Sequence, residues 1–308
     1  MIQNLSADTL DALTATGLDA GLVVSRVQMA LEEDLAYGPD VTTDATVPGD
    51  QEVVAAMAAR RPGVVAGLPV ALVTLELVAG PGRWRLLHVV PDGSAVARGE
   101  AVLRVAATTR ELLTAERTML NFVCHMSGVA TLTASWAAAM APVVVRDTRK
   151  TLPGFRELDK YAVRCGGGAN HRMGLGDAAL IKDNHVAAAG GVAAAVAAVR
   201  AADEDVPLEV ECDTVAQVRE ALEAGVDLVL LDNMPVEQMR EAVALADGLG
   251  LRGGPHPVRF EASGGLTLES APDLAASGVD YAAVGALTHS APVLDLGLDV
   301  EQVGRVDR

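Results

Sequence analysis

From Pro142 onward the chain repeats one pattern: a short, unbroken apolar run, a polar or glycine-rich stretch, then a segment with helical periodicity. The runs are VVVRD (143–147), AALIKD (178–183), LEVEC (208–212), LVLLD (228–232), VRFEA (258–262) and YAAVG (281–285). Strands that are apolar on both faces, alternating with helices such as TVAQVREALEAG and its terminal Gly225, predict a parallel sheet covered on both sides. Six such units predict an α/β barrel, incomplete against the closed eight-stranded form. A doubly wound open sheet is the competing architecture, and no GxGxxG fingerprint supports it. VAAAGGVAAAVAAV (186–199) reads as a packed helix, too short and too rich in Ala and Gly for a membrane span.

The first 110 residues lack this rhythm. LEEDLAYGPDVTTDATVP (31–48) reads as a helix end running into a polar loop, and QEVVAAMAARRPGVVAG (51–67) as strand, turn, strand. RWRLLHVVPDGSAVARGEAVLRVAA (83–107) adds short strands around a Pro91-Asp92-Gly93 turn. A long helical pattern, as one helix or two, then covers 110–140, with Leu112, Leu113, Met119, Leu120 and Val123 on one face. Glu116 falls inside that face and requires a partner there, because burying a lone carboxylate is costly. Arg117 lies at its edge. An α+β module of hairpins and a helix or two therefore precedes the barrel.

Charge changes the picture at one place. The chain carries 24 Lys+Arg against 41 Asp+Glu, a formal net charge of −17, which argues against a nucleic-acid backbone as partner. Residues 146–182 invert that balance with eight Lys+Arg and four Asp+Glu, and they contain all three lysines, Lys150, Lys160 and Lys182. A confined positive field in an acidic body suits an anionic small molecule, although a solvated charged helix face would give the same count. Cys124, Cys165 and Cys212 have no CxxC spacing, so a reduced, cytoplasmic setting without disulfides is expected. The polar, acidic start MIQNLSADTLDALTATGLDA has the character of neither a signal nor a transit peptide.

In an α/β barrel the active site forms at the carboxyl ends of the strands. There the sequence places Thr148, Arg149 and Lys150, then Lys182, Glu211 and Asp232, then Ser263, Gly264 and Gly265, and lastly Val284, Gly285 and Ala286. The glycine loop CGGGANHRMGL (165–175) adds His171 and Arg172. Arg149, Lys150, Arg172 and Lys182, with His171, are donors to anions. Glu211 and Asp232 suit hydroxyls, a metal, or both. SGG before LTLESAPDLAAS suits a phosphate at a helix N-terminus. The six histidines form neither HxH nor HExxH, so no metal cluster is expected.

Eight stretches carry a further pattern: EDLAYGPDVTTDATVP, AERTMLNFVCHMSGVAT, DTRKTLPGFRELDKYAVRCGGGANHRMGL, IKDNH, EVECDT, LLDNM, EASGGL and VGALTHSAPVLDLGLD. In this order they resemble quinolinate phosphoribosyltransferase, also called nicotinate-nucleotide pyrophosphorylase (carboxylating). The resemblance implies a sandwich domain over 1–117, joined by the tail 290–308, on a barrel domain over 118–289. It implies transfer of phosphoribosyl from phosphoribosyl pyrophosphate to quinolinate with loss of CO2, yielding nicotinate mononucleotide and pyrophosphate in de novo NAD synthesis. Mg2+ would be the cofactor, carried by phosphoribosyl pyrophosphate near Glu211 and Asp232. Arg149, Arg172 and Lys182, with His171, would hold the dicarboxylate. Arg117 would reach in from the partner subunit of a homodimer or a trimer of dimers. Lys150 would touch the pyrophosphate, and Glu211 and Asp232 the ribose hydroxyls. The 263–265 and 284–286 loops and His289 would bind the 5′-phosphate. Lys182, Glu211 and Asp232 are the expected catalytic groups. A related transferase acting on another base, and a non-catalytic binder of a phosphorylated metabolite, are the alternatives.

Overall fold

The structure is a computed structural model that describes residues 5–303. The chain divides into two compact units. One takes in the chain up to Leu132, Glu157–Gly167 and the chain from Ala291 onward; the other comprises Thr133–Arg156 and Gly168–Ser290. Residues 118–132 and 157–167 thus cluster with the first unit, whereas the sequence boundary at 117/118 assigns them to the barrel. The reason for the first of these is continuity. Thr109–Met140 is one unbroken 32-residue helix, and it buries Leu112, Met119, Leu120 and Val123 in the first unit's core.

In the first unit a four-stranded antiparallel sheet runs in the order Leu296–Val303, Glu52–Ala59, Ala101–Thr108, Arg85–Val89. Alternate residues Val53, Ala55, Met57 and Ala59 enter one apolar cluster with Leu68, Leu72 and Leu75 of the Leu68–Ala79 helix. This is the two-residue period of a sheet meeting the apolar face of a helix. Glu116 on the long helix is half-buried and its neighbour Arg117 is exposed. Two helices precede the sheet, Ala7–Thr14 and Ala20–Leu35, capped by Ser6 and Asp19. The segment expected as a polar loop after Leu35 contains a further short helix, Val41–Thr46. Asp40 caps it by accepting from the Thr43 N–H at 3.0 Å.

In the second unit six parallel strands form one sheet, ordered Val144–Arg146, Tyr281–Ala283, Arg259–Ser263, Leu228–Asp232, Leu208–Cys212, Ala179–Ile181. Along the chain this is first, sixth, fifth, fourth, third, second. The first and second strands stand at opposite edges, which is an α/β barrel left open between them. The Val215–Glu223 helix starts with a Thr214/Gln217 capping box and is followed by Gly225 at φ +77°. Residues 186–199 are not one packed helix. Asp183–Ala189 has no buried residue, and it meets Val192–Ala202 at 89°. Gly190 and Gly191, at φ +87° and +142°, form the break, where a Cβ would be strained. No single described helix is long and apolar enough to cross a membrane, although this bent pair passes on length and composition.

Candidate active site

A cleft of about 390 Å³ opens at the carboxyl ends of the parallel strands. Thr148, Arg149 and Lys150 line it from the first strand's loop, and His171 and Arg172 from the glycine loop. Lys182, Glu211, Asp232 and Ser263 line it from the ends of the second to fifth strands, over an apolar floor of Leu180, Leu230 and Ala283. Nine residues chosen from sequence therefore converge. Of the eight cations in 146–182, four face this cleft. Lys160, by contrast, is fully buried in the Arg156–Cys165 helix.

The cations differ in how they are compensated. Lys182 Nζ is paired with Glu211 Oε2. Arg172 donates to the Ala178 carbonyl at 3.0 Å, and its pKa is held below the ordinary guanidinium value by burial and by the charge of Arg149. Arg149 Nε is buried without a hydrogen-bond partner. Two guanidinium groups repelling each other, one with an orphaned donor, create a demand for an anion. Arg156 holds the loops that carry them, donating to Thr151 Oγ1 at 3.2 Å, the Met173 carbonyl at 3.1 Å and the Arg149 carbonyl at 3.5 Å.

Beneath the cleft lies a charged cluster that the sequence reading missed. His171 Nδ1 accepts the Arg172 N–H at 2.8 Å, which leaves Nε2 as the protonated nitrogen, facing Glu209 Oε2 at 2.9 Å. Glu261 Oε1 is 3.7 Å from the same nitrogen, and Glu261 Oε2 accepts from Arg146, whose guanidinium lies over the Tyr281 ring at 4.7 Å. Glu209 Oε1 and Glu261 Oε1 are buried with no hydrogen-bond partner. Burial first, then the Glu209 charge, push the Glu261 carboxyl up to about 7, against the pull of Arg146 and His171. His171, Glu209 and Glu261 lie close enough to hold a metal ion. The His171 tautomer opposes this, because Nδ1 is taken by a backbone N–H and Nε2 carries its proton. Two signals in the sequence pointed here: Glu209 is two residues from Glu211 and so shares its strand face, and Glu261 interrupts an apolar run.

The remaining predicted residues lie outside the cleft lining. Gly264 and Gly265 adopt φ +83° and +61° directly after Ser263. The next helix, Ala271–Ala275, begins only six residues later, so no helix N-terminus backs the glycines as expected from sequence. Val284 is buried and donates its N–H to the Arg146 carbonyl at 2.9 Å. At Gly285, a Cβ would meet Lys150 Cδ at 3.1 Å and His289 Nε2 at 3.3 Å, so the missing side chain lets Lys150 and His289 approach the same point. Ala286 opens the short helix Ala286–His289, and Thr288 Oγ1 donates to the Lys150 carbonyl at 2.9 Å. Arg117 belongs to the other unit. A larger cavity, about 810 Å³, also lies in that unit. Its buried or half-buried acids Glu76 and Asp92 already accept from Ser6, and from Gly67, Leu68 and Tyr161, and Asp8 on its rim is exposed, so among the described residues no buried unpartnered side-chain atom lines it.

Fold and cleft define an α/β-barrel protein with a cation-lined cleft at its strand ends. Sequence models of the quinolinate phosphoribosyl transferase C-terminal and N-terminal domains match residues 129–299 and 40–127. The nicotinate-nucleotide pyrophosphorylase (carboxylating) of Mycobacterium leprae is 54% identical over 276 residues, 89% of this chain and 95% of that protein. The probable nicotinate-nucleotide pyrophosphorylase (carboxylating) of Bacillus subtilis is 39% identical, over 87% of this chain and 90% of its own. The solved structure of the nicotinate-nucleotide pyrophosphorylase from Francisella tularensis superposes with a TM-score of 0.85 at 35% identity, covering 93% and 98% of the two chains. The chain belongs to the quinolinate phosphoribosyltransferase family.

Proposed function

We propose that this chain joins the phosphoribosyl group of phosphoribosyl pyrophosphate to quinolinate and releases pyrophosphate and CO2. The product is nicotinate mononucleotide, a step of de novo NAD synthesis. The observation that carries the reading is the Arg149–Arg172 pair. Two mutually repelling guanidiniums, one with a buried unpartnered Nε, suit a ligand with adjacent carboxylates. Lys182, half-exposed beside them, adds a compact charge. Family membership agrees with this substrate.

The chemistry needs no protein nucleophile. The pyridine nitrogen attacks C1 of the ribose as the C1–oxygen bond to pyrophosphate breaks, and positive charge builds on the sugar. Glu211 and Asp232 face that charge from the cleft wall, and Lys150 neutralises the leaving pyrophosphate. As the C2–CO2 bond breaks, its electron pair stays on C2, stabilised by the adjacent positive ring nitrogen, and then binds a proton in place of the carboxylate. Arg149, Arg172 and Lys182 act by orienting the ring for both steps. The donor set fits Mg2+: Glu211 and Asp232 are hard oxygen ligands, few enough for a metal that keeps waters and substrate phosphates. Glu211 and Asp232 would hold it together with the co-substrate, and it would then supply positive charge to the leaving pyrophosphate.

Two or more copies assemble, with Arg117 of one subunit completing the cleft of another. Its exposure on the long helix leaves its side chain accessible to a second copy and supports this reading. Mixing Arg117→Ala with Lys182→Ala subunits should then restore turnover that neither has alone; no recovery despite subunit exchange rejects it. Three free cysteines agree with a reducing cytoplasmic setting.

Incubation with quinolinate, phosphoribosyl pyrophosphate and Mg2+, with nicotinate in parallel, tests the reaction by product mass. Nicotinate mononucleotide should form from quinolinate alone. Product from nicotinate alone would overturn the carboxylate assignments, and product from neither would overturn the reaction.

A further inference from the structure

Strand Leu228–Asp232 ends in an unusual residue. Asn233 sits at φ +53°, the one non-glycine residue at positive φ among those described, and it is exposed. Left-handed backbone is strained for a side chain with a Cβ, least so for Asn, and it persists only where the surroundings hold it. Here two hydrogen bonds do so. The Asn233 N–H donates to the Ser263 carbonyl at 2.9 Å, and Asn233 Nδ2 donates to Asp232 Oδ2 at 2.7 Å. Asp232 and Ser263 are themselves register partners on neighbouring parallel strands.

The next residue along, Gly264, is shaped by the same side chain. A Cβ there would overlap Asn233 Oδ1 and stand 3.0 Å from the Asn233 nitrogen, whereas a Cβ at Gly265 would meet nothing. Gly264 therefore lacks a side chain because Asn233 occupies that space. One residue, through its backbone and both ends of its amide, touches the carboxylate at one strand end and the glycine turn at the next.

We infer that Asn233 is a positioning residue that fixes the Asp232 carboxylate against the Ser263–Gly265 turn, so that the ribose-hydroxyl and phosphate grips keep one spacing. The inference rests on the reading of Asp232 and Ser263–Gly265 as the phosphoribosyl-holding parts of the cleft. The ligand concerned is the sugar phosphate, not the pyridine dicarboxylate, because the dicarboxylate cations lie on the 149 and 171–182 segments.

Asn233→Gly keeps the left-handed backbone and deletes only the amide. It should raise KM for phosphoribosyl pyrophosphate about tenfold, the loss of one hydrogen bond to a charged group, with KM for quinolinate and the melting temperature little changed. Asn233→Asp keeps size and left-handed tolerance but sets a carboxylate against Asp232, and should be worse than Asn233→Gly. An unchanged KM for phosphoribosyl pyrophosphate in Asn233→Gly, an equal rise for both substrates, or full activity in Asn233→Asp would each overturn the inference. Asp232→Ala, measured in parallel, separates the two failures. If it raises that KM while Asn233→Gly does not, only the role of Asn233 falls; if it has no effect, the reading of the phosphoribosyl site falls and the inference with it.

Discussion

In the antiparallel unit, buried acids are engaged where they stand. Glu76 accepts from the N–H and hydroxyl of Ser6, both at 3.1 Å. Asp92 accepts from the Gly67 and Leu68 N–H groups at the start of a helix and from the Tyr161 hydroxyl, and burial still pushes its carboxyl above the usual range. The barrel unit treats its charges differently. Of the four buried side-chain atoms without a hydrogen-bond partner among the described residues, three belong to it: Arg149 Nε, Glu209 Oε1 and Glu261 Oε1. Unsatisfied buried polar atoms weaken a fold, so their concentration under and around one cleft marks the place where stability yields to ligand binding.

That contrast can be broken by mutation. The largest effect is expected at Lys182, where Lys182→Ala should lower kcat/KM by roughly 10²-fold, the order expected when the reacting ring is misplaced, with an unchanged melting curve. Arg149→Ala should raise KM for quinolinate about tenfold to hundredfold by removing a charged hydrogen-bonding partner, and should alter the KM for phosphoribosyl pyrophosphate much less. If either loss came with unfolding, the cleft cations would be structural like the acids of the first unit. Asp92→Ala, in that first unit, should show the reverse: a loss of about 2 kcal/mol in denaturant unfolding, from three orphaned donors, with kinetics unchanged.

The Glu261 cluster gives a pH test. Its folded pKa, about 7, is raised from 4.5, so the native state holds a proton that the unfolded chain releases. The stability this contributes is complete below pH 4.5 and is lost as pH rises through the raised folded value. Glu261→Gln should remove that slope from the pH dependence of unfolding; an unchanged slope would mean that another group carries the proton. The smallest effect is expected at the Thr214 cap, a scaffold element within the barrel. Thr214→Ala should cost about 1 kcal/mol of stability and leave turnover intact, separating scaffold from site inside one unit.

Much of the barrel was legible in advance, because a buried parallel strand needs an apolar run on both faces. LEVEC and LVLLD coincide with the strands Leu208–Cys212 and Leu228–Asp232, and the other four runs fall within two residues of theirs. Most cleft residues were legible for a related reason: a polar group at the carboxyl end of such a strand has one place to go. Local conformation was harder where two glycines meet. Gly190–Gly191 split an Ala-rich helical pattern because positive φ at both positions ends one helix and starts another. The expected helix behind Gly265 was lost because residues 266–270 turn before Ala271.

The sequence by itself determined the six parallel strands, the separate antiparallel unit, the family, and the concentration of cations at strand ends. These follow from period, composition and local motif, which act along the chain. Only the tertiary structure decided which of those cations converge, and which buried acids lie behind them. Glu209 and Glu261 belong to strands separated by one other in the sheet but by some fifty residues in sequence. They meet His171 from a loop and Arg146 from the opposite edge strand. Such contacts depend on strand order and on register between strands far apart in sequence, and no local pattern encodes either.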